Sequence, residues 1–171
     1  MRPTSRSGRW IALVLPLAIV WATATMAESR RVILVSWDAG ADWVVDRLLA
    51  EGRLPAVARM SSQGVCAEHM LAPFPSKTAV GHAALFTGCW PDHNGISGNQ
   101  VPLLPRASHH MIETASGFAS AALTAEPVYV TAARGGKRVV VLSATQVYPT
   151  GTHVATLRAD GVPPDRFVAF S

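Results

Sequence analysis

Apolar positions along this chain come in two kinds of block, unbroken runs and helically spaced sets. The stretch "RRVILVSWDAG" (30–40) holds an unbroken run from Val32 to Val35, behind two arginines and ahead of an Asp and a Gly. A segment apolar at successive positions is buried on both faces, so it predicts an interior strand of a parallel sheet. "ADWVVDRLLAEGRLPAVARMSSQG" follows, with Trp43, Val44, Leu48 and Leu49 near helical spacing. Gly52 and Pro55 interrupt it, and Pro55 opens a second short helix running to about Ser62. "VCAEHMLAPF" (65–74) reads as a second strand. "KTAVGHAALFTG" (77–88) predicts a helix that opens at Thr78 and closes at Gly88. "AEPVYVTAARGGKRVVVLSATQ" predicts a helix, a Gly-Gly stop and a buried strand from Val139 to Ser143. Strand and helix alternate, so the class is α/β, a mostly parallel sheet flanked by helices.

The 171 residues suit one domain with a sizeable core. With 49% hydrophobic and 15% charged residues, the composition excludes a disordered or fibrous chain. No internal repeat or low-complexity tract occurs. Part of the hydrophobicity belongs to the N-terminus. Arg2, Arg6 and Arg9 precede the apolar core "IALVLPLAIVWATATMA", which small residues close. That pattern predicts a secretory signal peptide over residues 1–27, cut after Ala27, and an exported protein, periplasmic or secreted. A retained membrane anchor is the alternative, but Pro16 interrupts a run already short for a span, so no stable anchor is expected after cleavage. Losing the three arginines drops the formal charge from +4 to +1. Residues 28–171 are then too weakly basic to argue for nucleic acid binding. Two cysteines remain, Cys66 and Cys89. An exported protein can pair them, and each also sits in an apolar context where a buried free thiol is common.

Candidate chemistry changes this picture at three positions. Asp38 directly follows the first predicted strand, and in parallel sheets the reactive crevice lies beyond the strands' carboxyl ends. It is a plausible metal ligand there, or equally an N-cap for the next helix. Thr78 stands at a predicted helix start after Pro75, Ser76 and Lys77, where free N–H groups and the positive dipole end suit a phosphate. Its hydroxyl is a cap or a nucleophile. Asn99, after "GISG", is by itself a turn residue.

Taken together, the three match a pattern. The pieces "VILVSWDAG", "PFPSKTAVGHAALFTGCWPDHNGISGN" and "AEPVYVTAARGGKRVVVL" resemble the type I phosphodiesterase / nucleotide pyrophosphatase family of the alkaline phosphatase superfamily. The order and spacing are specific, with 40 residues from Asp38 to Thr78 and 21 from Thr78 to Asn99. The resemblance implies an alkaline-phosphatase-like fold, with residues 28–171 as its N-terminal part. It implies that Asp38 binds zinc, that Thr78 is the nucleophile and a zinc ligand, and that Asn99 helps hold the phosphoryl oxygens. Lys77 is a candidate substrate-binding residue. Two Zn²⁺ ions are implied for the full site, one stabilising the Thr78 alkoxide and one delivering hydroxide to a phosphothreonine intermediate. Substrates would be small phosphodiesters or nucleotides. Some residues depart from the pattern. Ala79-Val80-Gly81-His82 replaces a common Phe-Pro-Asn-His, and Asn94 stands where a His is common. These put substrate preference in question more than chemistry. His82 reads as a packing and hydrogen-bonding residue, and His109-His110 as a loop feature.

The remaining zinc ligands of that family lie downstream of the matched part. Beyond Asn99 this sequence offers Asp160, Asp165, His109, His110 and His153, with no Asp-x-x-x-His and no Asp-His pair. Two ligands fall short of the roughly four that a tight zinc site uses. The expectation is therefore a fragment of a longer enzyme, weak or inactive alone and poorly soluble through an exposed apolar face and an unpaired sheet edge. Two alternatives stay open. One is a phosphomonoesterase or phosphonate hydrolase of the same superfamily. The other is a non-catalytic exported α/β domain that has lost its metals.

Overall fold

The computed structural model describes residues 31–170. The signal peptide predicted over 1–27 lies outside them. Contacts divide the chain after Val35, and the unit from Ser36 onward carries the architecture. Its elements are α1 (Asp42–Ala50), α2 (Pro55–Gln63), α3 (Thr78–Thr87), the single turn α4 (Pro91–Asn94), β1 (Gln100–Pro102), β2 (Thr114–Ser116), α5 (Val128–Arg134), β3 (Val139–Leu142), α6 (Gly151–Ala159) and β4 (Phe167–Phe170). Among the described residues no helix is long and apolar enough to cross a membrane.

The two ladders differ in kind. β3 and β4 pair in parallel, Val139 opposite Phe167 and Leu142 opposite Phe170. Parallel neighbours need a crossover, and α6 lies within it. β1 and β2 pair antiparallel, Val101 opposite Ala115. The βαβ unit bears out the α/β reading.

Helix α3 joins two cores. Ala79, Val80 and Ala83 are fully buried with Ile96 and Val101, while Phe86 packs with Tyr129, Val130, Ala133, Val141, Val147, Leu157 and Phe167. The buried positions 79, 80, 83 and 86 recur at helical spacing, and three of the four are small or β-branched, so α3 can lie close to its neighbours. Gly88 ends it in the left-handed region at φ 67°, its N–H on Ala84 O at 2.8 Å. That conformation costs glycine nothing. The predicted limits of this helix, of α2 and of the strand at Val139 hold within about a residue.

Other expectations fail. Residues 31–36 form no strand, and Val32 and Ile33 are each 88% exposed. An apolar run marks a segment suited to a sheet, but the ladder needs a partner from elsewhere in the chain. Among the described residues β3 and β4 pair only with each other. The second predicted strand, 65–74, is also irregular, with Val65, Met70, Leu71 and Phe74 exposed. Pro73 and Pro75 bring no N–H to a ladder, which disfavours pairing there. The predicted buried strand at Val139 is buried on one face only. Val141 and Phe167 point into the core, while Val140 and Leu142 are 58% and 69% exposed. Both cysteines are free, and Cys66 is exposed rather than buried.

Candidate active site

The site grows from the start of α3. Lys77 occupies the N-cap position in extended conformation and supplies no side-chain hydrogen bond to the helix. Thr78 is the first helical residue, half-buried. Its hydroxyl therefore does not serve as the N-cap of α3. The cap comes from 20 residues away, because Asn99 Oδ1 accepts the N–H of Ala79 at 3.2 Å. Since Ala79 N–H is a donor, the carbonyl oxygen of Asn99 must face it. The Asn99 Nδ2 group then sits on the other side of the amide, with both its hydrogens outside this contact. The carbonyl of Thr78 accepts from His82 Nδ1 at 2.9 Å, and the His82 ring lies 5.8 Å from that of Phe86. His82 thus packs and hydrogen-bonds, as read from the sequence.

The turn after α3 sets where Asn99 arrives. Pro91 starts α4 with the φ that a first helical turn needs. Asn94 is fully buried, donating Nδ2 to Cys89 O at 2.8 Å and accepting the Ile96 N–H on Oδ1 at 2.9 Å. Its own carbonyl accepts the Thr124 N–H at 3.0 Å. An Asn is wanted at this position because one side chain must both donate and accept within the turn. Gly95 follows at φ 81°, where a Cβ would also meet Thr124 Oγ1 at 3.0 Å. The latch drives Ile96 into the core and sends Gly98 and Asn99 back along α3.

A second strand segment closes on Asn99. Gly117 donates its N–H to Asn99 O at 2.9 Å. A Cβ on Gly117 would stand 2.1 Å from Gly98 O and 3.3 Å from Ala79 Cβ, so only glycine lets these backbones approach. Behind them lies Gln146, fully buried. Its Nε2 donates to Ala79 O at 3.1 Å and to Gly117 O at 2.7 Å. Sequence reading singled out neither Gly117 nor Gln146. One signal was available for Gln146, a polar residue placed just past the carboxyl end of the strand at Val139, the same rule that pointed to Asp38.

Asp38 itself stands exposed on a turn before α1. The N-cap of α1 is Ala41, so the capping reading of Asp38 fails. No hydrogen bond among the described residues ties Asp38 to Thr78 or Asn99. Among those residues no three His, Cys, Asp or Glu side chains come together to hold a metal ion. The described residues thus do not fit the implied two-zinc centre. The histidines have other tasks. His93 pairs with Asp92 at 3.0 Å, a contact that lowers the Asp92 pKa. His109 meets Glu113 at 2.9 Å in the loop between β1 and β2, and His153 bonds Gln146 O at 2.8 Å in the core.

The model of the type I phosphodiesterase / nucleotide pyrophosphatase family matches residues 32–170. The chain belongs to that family. No curated protein matches it. The family is of the hydrolase type, acting on phosphodiester and pyrophosphate bonds in small substrates and typically metal-dependent, and the β3–α6–β4 unit fits its α/β alkaline-phosphatase-like fold. The phosphodiesterase match spans every element of the site, from the turn at Asp38 through Thr78 and Asn99 to Gln146.

Proposed function

We propose that this chain carries the nucleophile half of a phosphodiesterase or nucleotide pyrophosphatase site, with Thr78 as the attacking residue. The observation that supports the reading best is the Asn99–Ala79 contact. It places a side-chain amide beside the first turn of α3, with Thr78 at that turn's opening and its hydroxyl relieved of capping. Thr78 Oγ attacks phosphorus in line. The P–O bond to the leaving group breaks, its electron pair departs with the alcohol or phosphate, which takes up the hydroxyl's proton, and a threonine phosphodiester remains that still carries the substrate's other ester group. Water then attacks the same phosphorus, releasing a phosphate monoester and freeing the Thr78 hydroxyl. The Asn99 Nδ2 group and the positive end of α3 meet the charge on the phosphoryl oxygens. Activating a threonine hydroxyl requires a base or a cation beside it. Zinc would be the family's cation, with Asp38 and Thr78 as candidate donors among the described residues. Lys77, exposed at the mouth of the turn, is a further candidate contact for substrate phosphate. The leader pattern of residues 1–27 supports action outside the cytoplasm.

The test is turnover of bis(p-nitrophenyl) phosphate by purified protein with and without added Zn²⁺, against Thr78→Ala and Thr78→Ser. The expected result is loss with alanine and partial retention with serine. Equal turnover by Thr78→Ala and wild type would remove Thr78 from the chemistry.

A further inference from the structure

The buried amide of Gln146 spends both of its donors on two backbone carbonyls, and those two carbonyls belong to the segments that bracket Asn99. One is Ala79 O, in the first turn of α3 beside Thr78, and the other is Gly117 O, on the residue whose N–H holds Asn99 O. Gln146 is itself fixed on every side. Its N–H donates to Phe118 O at 2.8 Å, its carbonyl accepts from Tyr129 Oη at 2.9 Å and His153 Nε2 at 2.8 Å, and its Oε1 accepts from Thr145 Oγ1. Because a carbonyl only accepts, His153 must carry its proton on Nε2. The backbone of Gln146 is left-handed at φ 57°, uncommon for a side chain of this size. A residue held there by six hydrogen bonds points one group, its Nε2, at the junction of the Thr78 turn and the segment that holds Asn99.

We propose that Gln146 is a positioning residue that sets the separation of Thr78 and Asn99. The proposal rests on the reading of Thr78 as nucleophile. Remove the two donors and nothing replaces the link between Ala79 O and Gly117 O. Among the described residues the turn and the Asn99 segment then keep one hydrogen bond, Asn99–Ala79 at 3.2 Å, beside the non-directional packing of Ala79 in the core it shares with Val101. Small displacements of aligned reacting groups are costly, about 10²-fold for about 1 Å. Binding of substrate depends on the same groups far less steeply.

The experiment uses the full chain and two readouts. Gln146→Met keeps the length and removes both donors. The expected result is a kcat for bis(p-nitrophenyl) phosphate lowered by about 10-fold or more with KM within about twofold. Amide hydrogen exchange at Ala79, followed by NMR, speeds at least tenfold while amides of α5 keep their rates. Tyr129→Phe is the comparison, since it removes a bond to the backbone of Gln146 and leaves the Nε2 contacts. It should lower stability while leaving kcat and Ala79 exchange unchanged. If Gln146→Met does not fold, Gln146→Asn, which keeps the amide one methylene short of its carbonyls, is read the same way. Unchanged exchange at Ala79 in the folded variant overturns the proposal, as does a kcat within twofold of wild type. Thr78→Ala separates the two readings. If it retains turnover, the nucleophile assignment fails, and Ala79 exchange alone then decides whether Gln146 holds this turn. If no turnover is seen in any form, the exchange result decides likewise.

Discussion

Two substitutions at Asn99 separate its two jobs. Its Oδ1 caps Ala79, and its Nδ2 is the proposed donor to the phosphoryl group. Asn99→Ala removes both. Loss of a side-chain cap costs about 1 kcal/mol of stability. Loss of one oxyanion donor costs about 3 to 4 kcal/mol of transition-state stabilisation, a fall of roughly 10² to 10³ in kcat. Asn99→Asp keeps an oxygen for Ala79 N–H and replaces the donor with a second carboxylate oxygen. A negative charge at a helix N-terminus adds about 0.3 to 1 kcal/mol, so the fold should be as stable as wild type or slightly more so. Activity should fall at least as far as in the alanine variant, because the carboxylate repels the phosphoryl oxygens. Stability thus ranks alanine below wild type and aspartate level with it, while activity ranks both variants low. Urea unfolding followed by circular dichroism gives the first ranking, and turnover of bis(p-nitrophenyl) phosphate the second. If Asn99→Asp destabilises as much as Asn99→Ala, the cap is not what holds Ala79. If Asn99→Asp turns over substrate normally, Nδ2 is not the donor.

Three further outcomes are expected. Gly117→Ala forces a Cβ to within 2.1 Å of Gly98 O, a backbone atom that cannot rotate aside. Overpacking of this kind costs about 3 kcal/mol, seen as a lower thermal midpoint, and a variant as stable as wild type would contradict the close approach. Gly88→Ala meets no atom within 4 Å, so its cost is conformational alone, about 1 to 2 kcal/mol for φ 67°, and Gly88→Asn should recover part of it. Tyr129→Phe loses the hydroxyl's bond to Gln146 O, worth about 1 kcal/mol near neutral pH. Burial raises the Tyr129 pKa above its ordinary value of about 10, so the folded state keeps the proton that the unfolded chain releases. Wild type therefore loses stability as pH climbs past that value, and the gap to Tyr129→Phe closes. A gap that stays constant up to about pH 11 would show that Tyr129 is not shielded from solvent.

The helices were legible because their signals are local. Thr78 through Gly88 contains its own start, its small-residue packing face and its glycine stop, and α2 announces itself at Pro55. The order Asp38, Thr78, Asn99 was legible as a family pattern. What the sequence could not convey was partnership. Whether Val32–Val35 pairs as a strand depends on backbone groups far along the chain, and the pattern of one segment carries no record of them. The continuous apolar run in β3 concealed a sheet with one exposed face for the same reason. Capping told a similar story. Local spacing offered Asp38 and Thr78 as caps, and the structure gave the cap at Ala79 to Asn99, which only the latched turn around Asn94 could deliver. Sequence by itself determined the residue types able to do phosphoryl chemistry and the helix that presents one of them. Tertiary structure alone decided that Asn99, Gly117 and Gln146 converge around Ala79, because their hydrogen bonds close between residues 18 to 67 positions apart.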